Sequence, residues 1–196
     1  MHKEVKKHIM TETELFWLSY QTCQWWNATM IQSERFFEVL YKEHGGTPWN
    51  NEYANSMFVA ERMYLIMSVY HSIENLQKID IELQRKNDFS MKNVLQEIEK
   101  VASFDDIKNL RDMNEHHLDY LVKKGRKQDE LLSKIKNDDE EIQRSALWTH
   151  INHDEDTVYI GKVNIKQLLI AMKEQLPIVR DKTKEIFDNG LWGKTK

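Results

Sequence analysis

Helix breakers are scarce in this chain, and their placement constrains the fold more than any motif does. The 196 residues include two prolines and six glycines, and these cluster at joints rather than inside the apolar-periodic stretches. Thr11 to Glu43 contains neither residue, and its apolar positions Leu15, Leu18, Thr22, Trp25, Thr29, Phe36 and Leu40 recur at three-and-four spacing. That spacing predicts one long helix. The preceding TETE supplies a capping threonine and early acidic residues. After the stop HGGTPWNN, a second long helix is expected over about Glu52 to Lys86. Its stripe is Phe58, Leu65, Val69, Ser72, Leu76, Ile79 and Leu83, with Met57, Tyr64 and Met67 as a second apolar face in the first half. Two such faces imply packing on more than one side.

A shorter helix is expected from about Met91 to Ala102. SFDD then opens a fourth, with Ser103 as N-cap and Asp106 at the third helical position, a variant of the capping box. Residues 126–144 are highly charged and read as a linker or a short exposed helix around Leu131, Leu132 and Ile135. The period then changes to alternation. Ala146–Asn152 and Thr157–Gly161 flank the acidic turn HDED and predict a β-hairpin, expected to be peripheral. A last helix follows from about Asn164 to Asp188, with Pro177 inside it as an expected kink. The expected fold is all-α: an antiparallel bundle of four to five helices with a small hairpin before the C-terminal helix. It reads as a single domain over 1–196, with a core bundle in 1–125 and hairpin plus helix in 145–196.

Composition narrows the function classes. The net charge of −4 offers no bulk attraction to nucleic acid, so any such binding must be local. A single cysteine, Cys23, forbids an intrachain disulfide and reads as a buried, inert thiol. The charged start MHKEVKKHIM does not resemble a signal peptide. No apolar run is long enough to span a membrane. A cytoplasmic protein without a membrane partner is the expectation.

The fourth helix, LRDMNEHHLDYLVKKG from Leu110 to Gly125, carries an anomaly. On a wheel of about 100° per residue, Ile107, Leu110, Leu118, Leu121 and Val122 define its apolar face. Arg111 and Asn114 fall inside that face. A buried arginine needs a partner, a cavity or an interface. Glu115 lies one turn on and can pair with it. Asp112, His116, Asp119 and Tyr120 occupy the other side, with Asp112 one turn before His116 and able to orient its ring. One reading is an ordinary surface ion pair beside ordinary polar residues. The sharper one has Arg111 holding an anion and His116 acting as acid or base.

The run RDMNEH, Arg111 to His116, resembles the R-x4-H motif of HEPN domains. These are all-helical domains, many of them ribonucleases of toxin–antitoxin, CRISPR and abortive-infection systems. A polar residue after the arginine is usual there, and Asp112 fits. Tyr120 stands somewhat further along than the tyrosine of some branches. The resemblance covers the first 125 residues in architecture and a short motif in sequence. It implies that Arg111 stabilises phosphate charge, that His116 serves as general acid or base, and that Asp112 and Asn114 orient them, without metal or other cofactor. It also implies a homodimer whose two motif helices line one cleft. The wheel agrees, because Arg111 and His116 point about 140° apart on one helix. Lys123, Lys124, Arg126 and Lys127 follow the motif and are candidates for the RNA backbone, or else a solvated cap favoured by the helix dipole. The expected function is RNA binding or metal-independent RNA cleavage, with an antitoxin as a further candidate partner. The rival is a non-catalytic dimeric module in which Arg111 and Asn114 form a buried polar network.

Other constellations are weaker. His150 and His153 flank an acidic turn at a spacing that does not put both on one strand face. His71 with Glu74 reverses the order of a di-metal helix motif and reads as a core histidine. Trp25, Trp26 and the methionines sit at helical spacing, as core or dimer interface. No Gly-rich phosphate loop or nucleophile elbow occurs.

Overall fold

The computed structural model describes residues 9–43, 52–116, 124, 133–137, 140–144 and 149–192. Among the described residues five helices dominate: α1 (Glu12–Glu43), α2 (Glu52–Gln84), α3 (Ser90–Glu99), α4 (Phe104–Glu115) and α5 (Ile165–Trp192). Between α4 and α5 lie β1 (Ser133–Asn137), β2 (Glu140–Arg144), β3 (Thr149–Asn152), β4 (Thr157–Ile160) and β5 (Val163–Asn164). The all-α bundle with a small antiparallel sheet before its last helix is the expected fold class.

The helix starts are built as the sequence suggests. Thr11 Oγ1 accepts from the Glu14 backbone N–H at 3.2 Å, and the Glu14 carboxylate accepts from the Thr11 N–H at 2.7 Å. This reciprocal pair is a capping box. Ser103 Oγ accepts from the Asp106 N–H at 3.1 Å and caps α4, while its hydroxyl donates to the Asp106 carboxylate at 2.6 Å in place of the reciprocal backbone bond.

α1 and α2 run antiparallel, since Phe36 meets Phe58 while Thr29 meets Ser72. The buried stripe of α1 is Leu15, Ser19, Thr22, Trp26, Thr29, Phe36 and Leu40. Trp26 is fully buried and Trp25 is exposed, the reverse of the expected choice. The reason is tertiary: the Trp26 Nε1–H donates to the Met172 carbonyl of α5 at 3.1 Å, which turns that ring toward the third long helix. Hydroxyls populate the α1–α2 seam. Ser19, Thr22, Thr29, Ser68 and Ser72 each donate to a carbonyl of the preceding turn. Their polar groups are thereby satisfied and their small size permits close helix approach.

The stripe of α2 is buried as expected from Leu65 to Leu83, with Phe58 half-buried. Its N-terminal half has a second face that stays open, with Tyr64 66% exposed. α5 lies antiparallel to α1, with Phe16 stacked on Phe187 at 4.4 Å, and Pro177 sits within it.

Three expectations are corrected. Among its described residues the charged stretch holds the paired strands β1 and β2 where a linker or short helix was expected, while Leu131 and Leu132 lie outside the described residues; Lys136 stands opposite Glu141 and Ile135 opposite Ile142 in register. Alternating polar residues around a central isoleucine favour an extended pair over a helix with one weak apolar stripe. The hairpin forms, with Thr149 opposite Ile160 and Asn152 opposite Thr157, but it is not peripheral. Val158, Ile160 and Val163 are buried in the main core, and β5 adds a third strand. Cys23 is half-buried rather than sealed, and the Asn27 amide contacts its sulfur at 3.6 Å.

Candidate functional site

α4 lies against α2 through Ile107, Leu110 and Met113, all buried. Asn114 joins them at 4% exposure, so one polar intrusion is genuinely internal. Its amide nitrogen donates to the Met63 carbonyl of α2 at 3.4 Å, while its Oδ1 is buried without a hydrogen-bond partner. An exposed backbone carbonyl on a packed helix is a natural target for such a donor.

Arg111 is half-buried, with its side chain 23% exposed. One guanidinium nitrogen donates to Glu115 at 2.6 Å and lies 3.1 Å from Asp112. The other donates to the Tyr70 hydroxyl at 3.0 Å. The guanidinium carbon also stands 4.3 Å from the centre of the Tyr70 ring, a distance suited to cation–π attraction. The hydrogen bond it gives to Tyr70, then the one it gives to Glu115, lifts the guanidinium pKa further above its ordinary value against the cost of burial. Arg111 Nε is buried without a hydrogen-bond partner.

His116 is the C-cap of α4, with φ −110° and ψ 29°, and its N–H returns to the Asp112 carbonyl at 3.0 Å. It is exposed. α4 as described therefore ends at the motif histidine, where the sequence suggested a helix continuing toward Gly125. The ideal-helix angle between Arg111 and His116 does not apply across that cap. Arg111, Asp112, Asn114, Glu115 and His116 are brought together on the last turn. Lys124 is exposed. Tyr120, Lys123, Arg126 and Lys127 lie outside the described residues, as do Leu118, Leu121 and Val122.

The residue that sequence reasoning missed is Tyr70. It sits on α2, 41 positions before Arg111, inside the apolar run YLIMSVY, where nothing distinguishes it from core. Its ring is also stacked with Phe104 of α4 at 5.9 Å and lies 5.3 Å from His71. His71 is not the expected core histidine. It is partly exposed, packed 4.7 Å from the Trp25 ring and 3.7 Å from the Glu74 carboxylate. Among the described residues, no group of His, Cys, Asp or Glu is arranged to hold a metal ion, and no helix is long and apolar enough to cross a membrane.

The arrangement is polar and oriented. Arg111 is aimed by an aromatic ring and two partly exposed carboxylates, and an exposed histidine stands at the end of the same turn. No protein-family model, no curated protein and no solved structure matches this chain.

Proposed function

We propose that the chain is an RNA-binding module of HEPN type, working as a homodimer, with metal-independent RNA cleavage at the α4 end. One observation carries this reading: Arg111 is held in place without being sealed. Tyr70 fixes its guanidinium from α2, its side chain keeps partial access to solvent, and His116 follows on an exposed cap. A cation oriented in advance stabilises developing phosphate charge without reorganisation at the moment of reaction. In the reaction the ribose 2′-oxygen attacks phosphorus and the P–O5′ bond breaks. His116 takes the 2′-hydroxyl proton or delivers one to the leaving 5′-oxygen. The products are a 2′,3′-cyclic phosphate and a 5′-hydroxyl end.

The second reading, a non-catalytic module with a polar network, is favoured by a different observation. The guanidinium already faces Glu115 and Asp112, so a phosphate must compete with two carboxylates. Glu115→Gln separates the two. Removing one competing charge should raise affinity for a single-stranded RNA by about threefold or more at low salt, while a purely structural pair would change thermal stability alone. His116→Ala should fold normally and lower cleavage by about 10²–10⁴. Cleavage should persist in chelator and spare a deoxy substrate. An RNA panel left intact by wild-type protein, with unchanged RNA affinity in Glu115→Gln, leaves the structural module.

A further inference from the structure

α2, α3 and α4 enclose a groove of about 390 Å³ that the motif does not use. That size falls in the range of small-molecule sites. Ile73, Leu95, Ile98 and Phe104 give it an apolar lining, and Gln77, Gln84 and Gln96 bring three neutral amides. Asp80 stands in its wall and is only 7% exposed. Its Oδ2 accepts from the Gln84 amide at 2.6 Å. Its Oδ1 is buried and has no hydrogen-bond partner. Buried carboxylates ordinarily satisfy both oxygens, so this one is short of a donor. Burial raises the pKa of Asp80, which reflects the cost of holding a charge there.

We infer that this groove takes an unpaired guanine base, with the Asp80 carboxylate accepting from its N1–H and its exocyclic amino group. Guanine presents two adjacent donors on its Watson–Crick edge, and a carboxylate presents two adjacent acceptors. Adenine and cytosine each offer a single amino donor beside an acceptor nitrogen, which would face the carboxylate unfavourably. The apolar lining suits the faces of a heteroaromatic ring, and the amides suit its polar edges. Lys92 and Glu99 also line the groove, so a simple organic cation is the rival occupant, and it would show no preference among nucleosides. Gln84 is long and half-buried; when its amide turns aside, the base replaces one donor with two.

Position adds to the chemistry. Phe104 lines the groove and stacks on Tyr70, whose hydroxyl accepts from Arg111. Ile107 also lines it, one turn or about 6 Å along α4 from Arg111. A base held here would therefore belong to a nucleotide close to the phosphate at the motif. The inference rests on the RNA reading for its biological sense, but its test does not need cleavage.

The test is calorimetric titration of the full chain with guanosine, adenosine and cytidine, nucleosides that carry no phosphate. Guanosine should bind at least about tenfold tighter than the other two, the discrimination expected of a good bidentate pair. Asp80→Asn should erase that preference, because its amide offers a donor where guanine needs an acceptor. Gln84→Ala should retain it, and so should Arg111→Ala, which lies outside the groove. Absence of a guanosine preference in wild-type protein and in Gln84→Ala overturns the inference, whatever happens to Asp80→Asn on folding. An equal preference in folded Asp80→Asn overturns it too. Guanosine binding with an intact RNA panel would sink the nuclease reading alone, and RNA cleavage without guanosine preference would sink the groove alone.

Discussion

Asp88 shows how a single carboxylate ties separate elements together. It follows the turn after α2, where Asn87 takes a positive φ of 60°, and it accepts from the Ser90 N–H at 2.9 Å as α3 begins. It also pairs with Lys182 of α5 at 2.6 Å. The Lys182 hydrogen bond first, then the contact with Ser90, holds its pKa down at about 2. A carboxylate whose folded pKa lies below its unfolded value stabilises the fold above the unfolded pKa, near 4. That stabilisation is lost as pH falls from about 4 through 2. Partial exposure screens the pair, so the contribution is roughly 1–2 kcal/mol. Wild-type protein should therefore melt several degrees above Asp88→Asn at pH 6, and the gap should close by about pH 2. A gap that stays constant across that range would show that the lost packing, not the charge, separates the two proteins. Arg111 is the contrasting residue: its carboxylate partners are exposed enough to be rehydrated, so its removal does not strand a charge in the interior.

At the scale of elements, the long helices were legible because their signals are redundant. Two stretches without Gly or Pro, capping residues at Thr11 and Ser103, and a stripe from Leu65 to Leu83 all point one way. The choice of Trp26 over Trp25 was not legible, since it depends on a carbonyl of α5 146 positions away. Neither was Tyr70, a phenol inside an apolar run, nor the groove around Asp80, which needs three helices to exist. Asn114 was legible, because a polar residue among buried neighbours breaks the helical pattern by itself. The sheet was half legible. Alternation gave the hairpin, but acidic residues at its tip suggested an ornament, whereas Val158 and Ile160 of β4 enter the core beneath α5. Ile160→Ala should accordingly lower stability by roughly 2–5 kcal/mol, the cost of truncating a fully buried isoleucine. Glu155→Ala at the exposed tip should stay within about 0.5 kcal/mol. Chemical denaturation distinguishes these outcomes, and a neutral Ile160→Ala would return the sheet to the periphery.

For the whole molecule the open question of surface is the second face of α2. Met57 and Tyr64 are exposed there, and beside them the exposed Met63 receives the Asn114 amide on its carbonyl from the end of α4. Apolar surface and motif turn are thus neighbours. A two-fold axis passing near them would cover the methionines and Tyr64 and bring a second Arg111–His116 turn toward the first. One turn alone offers a guanidinium already shared between two carboxylates, so in the proposed dimer a second copy would supply the additional cation that a bound phosphate needs. A stable association of this kind buries about 800 Å² on each partner, more than these three side chains provide, so the end of α4 must take part. Light scattering at micromolar protein should give about twice the chain mass of 23.6 kDa. Tyr64→Glu should shift that value toward a single chain and reduce RNA cleavage, because the composite site is lost. It should leave guanosine binding unchanged, because the Asp80 groove lies within one protomer. A wild-type protein that stays monomeric at that concentration removes the composite site, and RNA recognition would then rest on the local charge of a single α4 end.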